Sequence, residues 1–92
     1  KALVVVNLSS ICSSHELHSA LKYELGLPRF YGMNWDAYWD TITGLIELPE
    51  TLVFEGWDVL SRALPEEAKI LVKLMNQFNE KHPSWRCIVI YK

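Results

Sequence analysis

Asp36 and Asp40 stand four residues apart in the run from Asn34 to Gly44, so a helix there puts both carboxylates on one face. Two kinds of chemistry use such a pair. In the first, the carboxylates join His15 or His18 around a metal or in an acid–base pair, which would make a metal-dependent hydrolase. The spacing does not favour it. His15 and His18 are themselves i,i+3, whereas helical zinc sites use i,i+4 histidines and a third ligand. Nor does the chain hold an H-x-E…C-x-x-C set, a glycine-rich phosphate loop or a G-x-S-x-G elbow. Both histidines are expected on helix surfaces, and no catalytic residue, metal or cofactor is expected. The second chemistry is electrostatic: two anions held on a rigid rod and offered to a basic partner.

Charge segregation favours this second use. From Phe30 to Ser61 there are six acids (Asp36, Asp40, Glu47, Glu50, Glu55 and Asp58) and no Lys or Arg. The rest of the chain has nine bases against five acids, so the net charge of -2 hides an acidic block in a basic surround. Such a block suits a surface that meets a basic protein. Seven of the eleven aromatics lie in the same block, and aromatics beside a polar rim are the ingredients of interface hot spots.

The elements that would carry this surface follow from pattern. Leu3 to Val6, Thr51 to Phe54 and Cys87 to Tyr91 are continuous apolar runs, which predict strands covered on both faces. Long helical connections between them imply parallel pairing through right-handed crossovers. Ser13 with Glu16 forms a capping-box pattern at the start of a first helix, and Gly26 before Pro28 ends it. Gly32 is available for a turn, Asn34 for an N-cap and Gly44 for a stop, which brackets a second helix. On that helix Trp35, Tyr38 and Ile42 fall on an apolar face with Trp39 at its border, while Asp36, Asp40 and Thr43 line up beside it. Like charges at i,i+4 cost a helix a few tenths of a kcal/mol. Asp40 lies too deep in the helix to gain much from the dipole, so folding alone gives little reason for it. Gly56 to Ser61 reads as a short helix held by Trp57 and Leu60. A last helix opens at Pro65 and buries Leu71, Leu74, Met75 and Phe78.

Ninety-two residues make one domain (residues 1–92) that buries roughly two-thirds of its unfolded surface. The sequence pI of 5.9 argues against direct nucleic-acid binding. The apolar run at the start is too short for a signal-peptide core or a membrane span. Cys12 and Cys87 lack metal-ligand spacing and read as small buried thiols, although sequence does not exclude a bridge between them. These features point to a cytoplasmic protein with no membrane association.

The stretch Leu27 to Gly44, followed by Glu47 and Pro49, resembles the barstar family of intracellular ribonuclease inhibitors. The likeness is carried by Tyr31-Gly32, Asn34, Asp36-Ala37, Trp39-Asp40 and Thr43-Gly44, and it extends more loosely over the whole chain. The resemblance implies an α/β fold, a small three-stranded parallel sheet packed with about four helices. It also implies a one-to-one plug for the active site of a small basic bacterial ribonuclease or ribonuclease toxin domain. Asp40 matches the acid that enters the phosphate pocket, and Asp36 the acid that pairs with a basic group at the rim. Phe30, Tyr31, Asn34, Trp39, Thr43 and Gly44 are the further contacts implied, with Leu45, Glu47 and Gln77 more peripheral. Some positions depart from the family's best-known member: Phe30 replaces a tyrosine, Leu45 a tryptophan and Gln77 an acid, and neither family cysteine is matched. Retention of Asp36, Trp39 and Asp40 amid a changed periphery points to a related but different ribonuclease. The other reading left open is an acidic domain that binds a basic protein other than a nuclease.

Overall fold

The computed structural model describes residues 2–92. Three strands, β1 (Leu3–Asn7), β2 (Thr51–Glu55) and β3 (Ile88–Tyr91), form one parallel sheet in the order β1-β2-β3. Between β1 and β2 run α1 (Ser14–Leu25) and α2 (Trp35–Gly44), and between β2 and β3 run α3 (Trp57–Ala63), α4 (Pro65–Lys81) and a 3-10 turn (Pro83–Trp85). The α/β fold with a three-stranded parallel sheet is therefore as expected.

One expectation about the sheet fails. Only β2 is buried along its length; β1 and β3 alternate, and Leu3 and Ile88 are each 56% exposed. The reason is topological. Two right-handed crossovers that step the same way across a sheet place all their helices on the same side. The opposite face, with Leu3, Val5, Ile88 and Ile90, is left bare, so the continuous apolar runs do not mean two covered faces here.

The core lies between sheet and helices, with Val6, Leu17, Leu21, Tyr38, Phe54, Leu71 and Met75 all fully buried. Ser13 caps α1 as its sequence suggests, accepting the Glu16 amide at 3.1 Å. The Glu16 carboxylate, however, reaches the Cys12 amide at 2.7 Å rather than that of Ser13. Gly26 ends α1 in the left-handed conformation. Cys87 is buried and its thiol is pushed up to about 11 by desolvation. Cys12 is exposed, contrary to the expectation of two buried thiols, and both are free.

Candidate acidic docking face

The loop from Pro28 to Met33 and helix α2 position the acidic residues. Tyr31 closes the loop through its amide to the Pro28 carbonyl at 2.9 Å, and the Lys22 ammonium holds the Arg29 carbonyl at 3.2 Å. The left-handed residue of this loop is Met33 (φ 58°), not Gly32. Gly32 serves a close approach instead: a Cβ there would sit 3.2 Å from that of Ala37. Asn34 then caps α2, its side-chain oxygen accepting the Ala37 amide at 2.8 Å. Removing such a cap costs about 1 kcal/mol. Asn34→Ala is therefore expected to lower stability by about that amount, read as a shifted urea midpoint.

Helix α2 is pinned from inside. Tyr38 is fully buried, with its hydroxyl 3.3 Å from the Met75 sulfur on α4. The Trp35 indole donates to a Glu67 oxygen at 3.1 Å, and the Ser14 hydroxyl reaches the same oxygen at 3.0 Å. Glu67 thus joins three helices, although in sequence it looks like an ordinary acid at a helix start.

His18 is 1% exposed, which corrects the reading of both histidines as surface residues; His15 alone is exposed. The His18 Nδ1 lies 2.6 Å from the Tyr31 hydroxyl, which is 3.4 Å from the Asn34 carbonyl. An Nδ1–H tautomer, assigned from this network, lets His18 donate to Tyr31 and Tyr31 to Asn34. Its ring packs against Trp35 at 4.5 Å, and Nε2 is buried with no partner. Thirteen residues separate His18 from Tyr31, so no local pattern announces the pair. The network anchors α1 to the residue that starts α2.

Desolvation lowers the His18 pKa below its ordinary 6.5; Glu67 opposes the shift and His15 adds to it. A proton on Nε2 would meet no acceptor. The unfolded chain therefore takes up a proton near pH 6.5 that the folded chain refuses, and stability falls as pH drops through that region. Urea midpoints at about pH 8 and about pH 5.5 are expected to show this loss, and a flat profile would contradict it.

The outward face carries the acids. Asp36 and Asp40 are exposed, and among the described residues neither side chain has an ion pair or hydrogen bond. They share a shallow concavity between α2 and α4 with Trp35, Trp39, Ile70, Leu74 and Gln77. The fold therefore brings Gln77 to the two aspartates. Leu74, expected in the buried stripe, is half-buried and lines that concavity. Phe30 is 77% exposed; Gly44, the last residue of α2, is exposed, as are Leu45 and Glu47 beyond it. Thr43 turns its hydroxyl onto the Trp39 carbonyl at 2.6 Å. Tyr31 is buried and supports the loop through His18, so its side chain faces inward, and Asn34 is occupied as a cap. Among the described residues there is no group of three or more His, Cys, Asp or Glu that could hold a metal, and no helix long and apolar enough to cross a membrane.

Asp36 and Asp40 thus stand exposed on one helix of an α/β domain built on a three-stranded parallel sheet. A family model described as Barstar (barnase inhibitor) matches residues 1–88. The chain is also 35% identical over 65 residues, 71% of each chain, to the protein named "Putative ribonuclease inhibitor YrdF" of Bacillus subtilis (strain 168). The chain belongs to the barstar family. Ribonuclease inhibition, rather than catalysis, is the role that this membership supports.

Proposed function

We propose that this protein is a stoichiometric, one-to-one inhibitor of a small basic bacterial ribonuclease or ribonuclease toxin domain, made to protect the cytoplasm that contains it. In this reading Asp40 occupies the enzyme's phosphate pocket, and Asp36 pairs with a cation at its rim. Phe30 and Trp39 supply apolar contact. The observation that carries the reading is the pair of exposed carboxylates without internal partners on a helix anchored by Tyr38, Trp35 and its Asn34 cap. A phosphate pocket is a cluster of fixed positive charge, and a rigid carboxylate satisfies it without being cleavable. Opposite charge on the two surfaces also speeds their encounter, as in the barnase–barstar pair, the standard case of such steering. The test is RNA cleavage by a panel of purified small secreted bacterial ribonucleases, titrated with this protein. Loss of cleavage at one equivalent supports the proposal; undiminished cleavage by every member refutes it.

A further inference from the structure

A groove opens where the acidic concavity stops. One wall is Thr43, Gly44 and Ile46; the other is Phe78, Trp85 and Arg86. Thr43 follows Asp40 at i,i+3 on α2, and Phe78 follows Leu74 at i,i+4 on α4, so the groove adjoins the acidic concavity. Trp85 is 64% exposed. Its ring stacks on His82 at 5.0 Å and 11°, and His82 in turn packs on the buried Phe78 at 5.0 Å. The Trp85 amide donates to the His82 carbonyl at 2.9 Å. This large aromatic is thus held in place from below and left open above, the profile of an interface anchor rather than of a core residue.

The charge around it selects the occupant. The last turn of α2, the negative end of the helix, lines the groove through Ile42, Thr43 and Gly44 and carries no basic residue. Glu47 and Glu50 line the same groove, exposed and without an ion pair among the described residues. Arg86 is the one opposing charge on the walls. An aromatic face beside acids and a helix C-terminus suits a guanidinium or ammonium group.

We propose that this groove receives an arginine or lysine side chain from the surface of the same ribonuclease, and that Trp85 thereby helps decide which ribonucleases are bound. The proposal rests on the inhibitor reading above and extends its footprint to the turn before β3.

The test compares Trp85→Ala, Trp85→Phe and Glu47→Gln with the unmodified protein in inhibition titrations against the same ribonuclease panel. Trp85→Ala is expected to weaken inhibition of the preferred ribonuclease about tenfold or more, and of other panel members less. Trp85→Phe keeps part of the affinity, and Glu47→Gln reduces the salt dependence of binding. All three should melt like the parent, because these side chains are exposed. If Trp85→Ala inhibits every ribonuclease as well as the parent does, while Asp40→Ala fails to, the groove proposal falls alone. If the parent inhibits none of them, the inhibitor reading falls and takes the groove with it.

Discussion

Asp40→Ala is expected to weaken binding to the target ribonuclease by about 30-fold or more, against a change of no more than a few-fold for Glu50→Ala. The lower bound is that of an interface hot spot, a class to which the barstar complex itself belongs, so the magnitude belongs to the class rather than to this chain. The contrast between the two acids does come from this structure. Asp40 stands mid-helix beside Trp39, Leu74 and Gln77, on a helix whose position Tyr38 fixes through Met75. In a complex it would be desolvated at the centre of the contact. Glu50 is an exposed residue of the neighbouring groove, just before β2 and outside the acidic concavity, where water screens it. Equal losses from the two substitutions, measured by competition for one ribonuclease, would mean that affinity depends on total charge and not on a plug.

Gly56→Ala is expected to cost about 3 kcal/mol or more of folding stability, a large share of what a small domain possesses. Gly56 sits between β2 and α3 with φ of +73°, where any other residue is strained. A Cβ would also come within 2.7 Å of the Ser9 amide nitrogen and 2.8 Å of its Cα. That neighbour is backbone in the turn after β1 and cannot rotate away. Gly26 is the natural control: its φ is +66°, yet a Cβ there meets nothing within 4 Å. Gly26→Ala should therefore cost only the conformational part, about 1 kcal/mol. If urea unfolding gave the two variants the same loss, the close approach to Ser9 would count for nothing.

Sequence pattern located the strands, the caps at Ser13 and Asn34 and the apolar face of α2, because these depend on neighbours within a few residues. The acidic block from Phe30 to Ser61 was equally legible, since charge segregation needs no fold to be seen. What pattern could not supply were contacts closed by the tertiary fold. His18 looked like a surface histidine because its partner, Tyr31, arrives from a loop beyond the end of α1. Glu67 looked like a helix-start acid because its two donors lie on α1 and α2. The bare side of the sheet was hidden for a related reason: a run such as Leu3 to Val6 has the same composition whether helices cover one side or two. Likewise, Trp85 stands apart from the aromatic block and meets the end of α2 only across the folded groove.

The acidic helix belongs to the first crossover, but what holds it is encoded later. Trp35 and Tyr38 bond to Glu67 and Met75, separated by 32 and 37 residues, and β1 has no strand to pair with until β2 exists. A chain emerging from the ribosome thus carries every acid of α2 well before it can fix their positions, and such distant pairings close slowly. In the inhibitor reading proposed above, binding capacity is therefore acquired late in synthesis, after α4 has emerged, and unfinished copies contribute little. A cell that relies on such an inhibitor gains from having completed molecules in reserve before the enzyme they restrain begins to accumulate.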